Sequence, residues 1–346
     1  MARRGGDGAS PRSPAAAASF RLIQLALLPL GAAGYLWGLP KLLVYSHRTA
    51  VSATLLASLY TRFMQHRLGT RPDGPAEHLL LVMPNVSRIG FGLVAAPTTM
   101  ARRLTGYVPR IYRYPYEGEP PLSHQETART SFYDAALERH LPGIDQLVIL
   151  GAGFDTRAFR VGAGGRPLCF ELDKPRTQAF KLSMLARAGL PAGRARYVAA
   201  DLRQEDWYAR LEAAGFDPAL PAFFLWEAVT MYLDRAAVEA TLRRIASMAP
   251  GSAVAFDYFS AQTLASRSPY MCFARAATAF AGEPLDFGID TTPPARDRVA
   301  EFLRPFGLTV EEHRNFGRES RRRGAPAGFV VAVVRRSAEF PPASRR

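Results

Sequence analysis

Cysteine is nearly absent: Cys169 and Cys272 are the only two in 346 residues. That excludes a disulfide framework and a cysteine-based zinc site. Cys169 stands in the apolar run Pro-Leu-Cys-Phe and reads as a buried strand residue. Lysine is equally scarce. Of the 44 basic residues only Lys41, Lys174 and Lys181 are lysine, so the net charge of +14 and the pI of about 10.3 come almost entirely from arginine. The arginines collect mainly toward the chain ends, as at Arg3, Arg4, Arg321 to Arg323, Arg335, Arg336, Arg345 and Arg346. No basic stripe on one element accompanies a nucleic-acid-binding motif, so no nucleic-acid partner is expected. Attraction to anionic lipid or to acidic partners is the more economical use of such charge. No cluster of His, Cys and carboxylates stands at metal-ligand spacing, and no metal is expected. Apolar residues make up 48% of the chain, ample for the core of one large domain or two ordinary ones.

Three regions follow from the pattern. Residues 1–18, rich in Gly, Ser, Pro, Ala and Arg, read as a disordered tail. Residues 19–70 read as a hydrophobic and amphipathic helical segment. Within it, 22–40 is an uncharged run of 19 residues between Arg21 and Lys41, at the lower limit for a membrane span. The competing reading is a helix that packs on the protein or lies in the membrane interface. Residues 49–68 have helical spacing. Residues 71–340 read as the catalytic domain, placed in the cytoplasm and membrane-associated through 22–40. From about 145 onward, buried strands (146–150, 167–173, 195–201, 221–230, 252–260) alternate with helices (175–188, 205–214, 235–249). Two more strands near 308–316 and 328–337 suggest a terminal antiparallel hairpin. Alternation of this kind implies an α/β fold with a mostly parallel sheet and helices on both faces. The stretch 261–292 is too long for a simple connection and is expected to form a helical cap.

In such a sheet the ligand lies beyond the carboxyl ends of the strands. Four strand ends carry suitable groups. The first is the turn Gly151-Ala152-Gly153-Phe154-Asp155-Thr156-Arg157, where glycines let the backbone approach a ligand. Glu171 and Asp173 follow Gly151 by 20 and 22 residues, the distance at which an acid meets ribose hydroxyls. Asp201-Leu202 closes the third strand and Glu227 the fourth. The dinucleotide pattern is incomplete, because Thr156 occupies the place of its third glycine, and Asp155 beside the turn would repel a phosphate. The set suits a ligand with a cationic end and no phosphate, as in S-adenosylmethionine.

These motifs resemble the leucine carboxyl methyltransferase family, more closely its bacterial branch of S-adenosylmethionine-dependent methyltransferases. The resemblance runs through ARTSFYDAAL (128–137), LGAGFDTRAFR (150–160), FELDKPRTQAFK (170–181), AADLR (199–203), WEAVTMYL (226–233) and GEPLDFGI (282–289), and covers about 125–335. It implies a class I, Rossmann-like methyltransferase fold. It also implies that Gly151 belongs to the cofactor turn, Asp173 takes the ribose, Asp201 and Leu202 border the adenine, and Glu227 and Arg129 contact the methionine end. With Ala152, Gly153, Asp155 and Glu171 these make the expected cofactor set. The segment 1–70 departs from the family's usual start.

The expected reaction is transfer of a methyl group to an oxygen nucleophile, most economically a carboxylate, which is ionised at neutral pH and needs no general base. None of the six histidines lies in a strand-end motif. An acidic acceptor would need an arginine or a phenol to hold it; Arg157 and Tyr232 are the expected catalytic residues, with Arg110 and Arg113 as further candidates. The acceptor class spans a small molecule, a lipid-linked acid and a protein C-terminus, and membrane lipid is a candidate partner. A nicotinamide-dependent oxidoreductase and a non-catalytic tethered scaffold are the competing readings.

Overall fold

A computed structural model describes residues 13–334 apart from 50–52, 162–165, 205, 281 and 322. The chain forms two compact units. One comprises the described residues up to Glu117 together with Met184–Leu190; the other comprises Gly118–Ser183 and the residues from Pro191 onward.

Helices build the first unit: α1 (Pro14–Ala26), α2 (Leu28–Thr49), α3 (Ala53–Arg67), α4 (Gly74–Val82) and α5 (Arg88–Thr105). Ser13 caps α1 by accepting the Ala16 N–H at 3.1 Å, and Pro14 stands where a helix has no use for an N–H. Residues 14–18 are therefore helical rather than part of a tail, while 1–12 lie outside the described residues. The uncharged run 22–40 is not one helix either. It breaks at Leu27, and its two halves are bent by 52°. Pro29 explains the break, because it lacks an N–H and its ring clashes with the carbonyl four residues back. No single helix among the described residues is long and apolar enough to cross a membrane.

α4 and α5 are not among the elements read from the sequence. Gly90, Gly92 and Pro97 inside α5 look like punctuation. Here Gly90 serves close approach and Pro97 lies against Gly31, while a side chain at Gly92 would meet nothing within 4 Å. A Cβ on Gly90 would come within 2.9 Å of the Gly34 carbonyl oxygen, and a Cβ on Gly34 within 2.7 Å of the Gly90 carbonyl oxygen. Contacts run Gly31 to Pro97, Gly34 to Leu93 and Gly38 to Ser87, so α2 and α5 are antiparallel.

The second unit opens with α6 (Gln125–His140) and β1 (Gln146–Leu150), followed by α7 (Ala158–Val161), β2 (Leu168–Asp173) and α8 (Pro175–Ala188), whose residues from Met184 onward belong to the first unit. Then come β3 (Arg196–Ala199), α9 (Trp207–Ala213), β4 (Ala222–Trp226), α10 (Arg235–Ala246) and β5 (Ala253–Ser260). The chain closes with α11 (Ala261–Leu264), α12 (Pro269–Phe280), β6 (Gly288–Ile289), α13 (Ala295–Leu303), β7 (Leu308–Phe316) and β8 (Ala327–Val334). The sheet order is β3-β2-β1-β4-β5-β8-β7, with β6 beside the end of β5. β1 to β5 are parallel, and β8 runs antiparallel between β5 and β7. β1 and β4 are buried at every position, as apolar strands covered on both faces should be. β7 ends the sheet, and its charged Glu311, Glu312 and Arg314 blunt the open edge. The α/β class and terminal hairpin expected from sequence are present. The stretch 261–292 is only partly helical, because β6 adds a strand that was not anticipated.

Alternation sorts the strand residues between two faces. Val148, Leu150, Phe170, Leu172, Phe224, Trp226, Val254 and Phe256 enter one apolar core with α9, α10 and α13. Their neighbours point the other way, and so do Glu171, Asp173 and Asp257. The chain passes from β1 outward to β3 and then returns to β4 on the opposite side of β1. The carboxyl ends of β1 and β4 therefore flank the point where strand order reverses.

Candidate active site at the carboxyl edge of the sheet

Gly151 follows β1 with φ of 65° and Gly153 with φ of 45°, both in the left-handed region that disfavours a side chain. Gly151 also has no room for one: a Cβ there would lie 2.5 Å from Val229 Cγ2. The turn is pinned from below. Ala152 N–H donates to the Leu172 carbonyl at 2.9 Å, and Gly153 N–H donates to Asp173 Oδ2 at 2.7 Å. Asp173 Oδ1 accepts the Lys174 N–H at 2.7 Å. Burial raises the Asp173 carboxyl, opposed by these two backbone bonds. Each of its oxygens keeps a further lone pair for a ligand hydroxyl. At the next strand end, Asp201 Oδ1 accepts the Arg203 N–H at 3.0 Å and Leu202 is buried.

Beneath the rim lies a buried ionic network. Arg157, fully buried, donates from Nε to Asp134 at 2.7 Å and from Nη1 to Glu227 at 2.5 Å and to Asp155. Arg160 completes the network on Asp134 at 2.9 Å. Burial works against the Arg157 charge, but Asp155, Glu227 and Asp134 outweigh it and hold the guanidinium firmly protonated. Arg129 donates to Asp257 at 3.1 Å and to Glu126 at 3.0 Å. Burial likewise opposes its charge, and Glu126, Asp257 and Glu227 more than restore it. Tyr133, one turn along α6 from Arg129, donates its hydroxyl to Asp257 and to the Trp226 carbonyl, both at 3.0 Å. Asp257 also accepts the Ala228 N–H at 2.7 Å. Ala228 has φ of 58°, the only positive value outside glycine among the described residues. An acid from β5 thus fixes the strained turn that presents Glu227.

Three sequence expectations need correction. Arg157 cannot hold an acceptor, because it is buried and committed to carboxylates; it positions Asp155 and Glu227. Asp155 is drawn back onto Arg157, accepting both its backbone N–H at 2.7 Å and its guanidinium. Glu171 does not reach the rim. It is 1% exposed and pairs with Lys181 Nζ at 2.5 Å, while Lys181 also donates to the Asp155 carbonyl at 2.8 Å. Burial pushes Glu171 up to about 7, against the pull of Lys181. The structure does bring Arg129, Gly151, Ala152, Gly153, Asp173 and Glu227 to one edge. Tyr232 lies on a 3₁₀ turn (Thr230–Tyr232) after β4, half-buried, and the preceding Met231 carbonyl accepts the Asp286 N–H at 2.9 Å. That bond ties the segment 261–292 to the turn that carries Tyr232. Arg110 and Arg113 belong to the first unit, where their guanidinium groups donate to the Glu117 and Val108 carbonyls.

Sequence reading overlooked Tyr133, Asp134 and Lys181 as site residues. A signal existed: Arg129 and Tyr133 are four apart and must share a helix face. Among the described residues, Glu126, Asp134, Asp155, Glu171, Glu227 and Asp257 pair with Arg129, Arg157, Arg160 and Lys181, with Asp173 alongside. In a chain of net charge +14 this edge is locally acidic. Accept-only oxygens beside a glycine turn fit a polyhydroxylated ligand with a cationic end, and disfavour a pyrophosphate.

Residues 111–246 match the model of the leucine carboxyl methyltransferase family. A protein of Mycobacteroides abscessus named "Putative S-adenosyl-L-methionine-dependent methyltransferase" is 37% identical over 199 residues, 56% of this chain and 64% of that protein. A similarly named protein of Mycobacterium tuberculosis is 36% identical over 173 residues, 47% of this chain and 57% of its own length. The chain thus spans less than two thirds of the curated relatives it matches. Among solved structures, a DUF574 family protein from Streptomyces avermitilis aligns with TM-score 0.45 and 15% identity, over 82% of this chain and 98% of its own. The O-methyltransferase of neocarzinostatin biosynthesis, solved with S-adenosylmethionine, aligns with TM-score 0.36 and 16% identity, over 59% and 57%.

Proposed function

We propose that this chain is an S-adenosylmethionine-dependent methyltransferase whose acceptor is a carboxylate on a small molecule, a lipid-linked acid or a protein C-terminus. The observation that carries the cofactor is the acidic rim around a glycine turn, together with the family match over the residues that build it. S-adenosylmethionine supplies a methyl group on a cationic sulfur, ready for in-line displacement. Asp173 would take the ribose hydroxyls on its remaining lone pairs, and Asp201 and Leu202 would border the adenine. Glu227 would face the cationic end, and Arg129 would take the methionine carboxylate on Nη2, which lies outside its two ion pairs. Arg157, Lys181 and Asp257 hold these groups before any ligand arrives, so binding needs little reorganisation. Tyr232, beside the segment 261–292, would be the phenol that an acidic acceptor meets. The cap would exclude water from it.

A carboxylate acceptor is favoured because the described rim offers no histidine to take a proton, and His313 lies on β7, paired with Tyr258 at 2.9 Å. Burial lowers His313 to about 4, which keeps it neutral. The test has two arms on the full chain. Calorimetry with S-adenosylhomocysteine should show binding that Asp173→Ala weakens by about tenfold or more. Transfer from methyl-labelled S-adenosylmethionine to a panel of carboxylic acids should give label released by mild base, as a methyl ester requires. Binding of NADH in place of S-adenosylhomocysteine would overturn the cofactor, and base-stable label would overturn the carboxylate.

A further inference from the structure

Eleven large apolar side chains stand exposed among the described residues, and nine of them lie on α1, α2 and α5: Leu22, Leu25, Leu28, Tyr35, Leu36, Trp37, Ile89, Met100 and Leu104. Their exposure runs from 42% to 71%. On α5 they fall at 89, 100 and 104, one stripe at helical spacing. Concentration on one helical layer differs from the scattered exposure of ordinary surfaces.

The layer is held together without those side chains. Gly34 and Gly90 let α2 and α5 meet backbone to backbone, Gln24 Nε2 on α1 donates to Thr98 Oγ1 on α5 at 2.9 Å, and Lys41 Nζ on α2 donates to the Val86 carbonyl at 3.0 Å. These exposed apolar side chains are therefore surplus to the packing of these helices.

Charge identifies what covers it. The three helices carry Arg21, Lys41, Arg48, Arg88, Arg102 and Arg103 and not one Asp or Glu. The antiparallel register places these charges at two ends. Lys41 and Arg88 lie at the end marked by Val86, while Arg21, Arg102 and Arg103 lie toward Thr98 at the other. The exposed apolar side chains stand among these cations, Leu22 beside Arg21, Ile89 beside Arg88 and Leu104 beside Arg103, as on a surface that seats its apolar groups in the acyl boundary and its cations at anionic headgroups. A protein partner would have to supply acids at both ends of an apolar patch. The 52° bend rules out a straight span and suits helices lying in the plane. We infer that α1, α2 and α5 form an in-plane seat on anionic lipid. This inference is independent of the proposed chemistry.

Trp37 makes the seat directly testable, because it is 64% exposed while Trp207 and Trp226 are buried. The full chain should sediment with phosphatidylcholine vesicles carrying about a third phosphatidylglycerol, and much less with phosphatidylcholine alone or at high salt. Its tryptophan emission should shift to the blue on binding. Trp37→Phe should abolish that shift and keep the binding. Arg21→Gln/Arg103→Gln should weaken binding roughly thirty-fold, from the typical attraction of two surface cations. Leu22→Ser/Leu25→Ser/Leu36→Ser changes only exposed side chains, so its circular dichroism should match the parent while vesicle binding is lost. Binding indifferent to lipid charge would overturn the inference. So would absent vesicle binding together with dimerisation that the serine variant abolishes, which would assign the face to a second copy.

Discussion

The Gly151→Ala substitution adds one methyl group where two separate penalties meet. Its φ of 65° costs an L-residue about 1–2 kcal/mol. The new Cβ would also stand 2.5 Å from Val229 Cγ2 and 3.2 Å from Cγ1, an overlap with the residue that closes the β4 turn. Overpacking of this size costs about 1–3 kcal/mol. The single variant should therefore lose about 2–5 kcal/mol in urea unfolding, and its affinity for S-adenosylhomocysteine should fall as the turn shifts. Val229→Ala removes both offending methyls and by itself opens a small void in a partly buried site, at about 1 kcal/mol. In the double variant the overlap disappears and only the backbone penalty and the void remain. The double-mutant cycle should then show a favourable coupling of about 1–3 kcal/mol. A plain sum of the two single losses would refute the contact between the β1 and β4 turns.

Other perturbations test the ionic layer and the thiols. Glu171→Gln strands the Lys181 ammonium and should cost about 3–5 kcal/mol, whereas Glu171→Gln/Lys181→Met should recover most of it; equal losses by thermal unfolding would show that the pair does not act as a unit. A carboxyl raised to about 7 binds its proton more tightly in the folded state, so this site lowers stability as pH climbs from about 4.5 to about 7. The double variant should flatten that part of the pH–stability curve, and an unchanged slope would count against a buried Glu171. Arg157→Met leaves Asp134, Asp155 and Glu227 without their shared cation and should reduce both melting temperature and cofactor affinity; wild-type affinity in a folded variant would remove its positioning role. Cys169 is buried, with its thiol pushed up to about 12, while Cys272 is exposed. A thiol reagent should titrate one cysteine in the native protein and both in denaturant, and two fast native thiols would contradict that burial.

What the sequence reveals of this fold follows from period and continuity. The runs QLVIL and AFFLW are too apolar and too short for anything but strands buried on both faces, and their alternation with helices implies a parallel sheet. The first unit resists the same reading. Gly34 and Gly90 look like breakers because propensity is a local property, whereas their value lies in a backbone contact across 56 residues between them. Pro29 and Pro40 lie within one uncharged run, yet only near Pro29 does the helix bend; Pro40 stays inside α2. Composition gives the run its apolar character, and Pro29 makes the bend, but composition does not tell Pro29 from Pro40.

The active edge divides along a different line. Alternation alone places Glu171, Asp173 and Asp257 on one face, and the register confirms Glu171 beside Ile149, one strand away from Leu225. Which of those acids meets ligand is not a matter of parity. Glu171 sits two residues deeper than Asp173, and that single step of the pleat exchanges a rim position for a buried one with Lys181 as its partner. Arg157 illustrates the same limit. A sequence shows an arginine beside a glycine turn, which suggests an anion ligand, but the anions turn out to be Asp134, Asp155 and Glu227, from a helix, the turn itself and the end of β4. Such a cation cannot bind a second set of carboxylates without releasing the first. On the proposed function the acceptor would be held by groups outside this network, with Tyr232 and the segment 261–292 bonded beside it as the place to look.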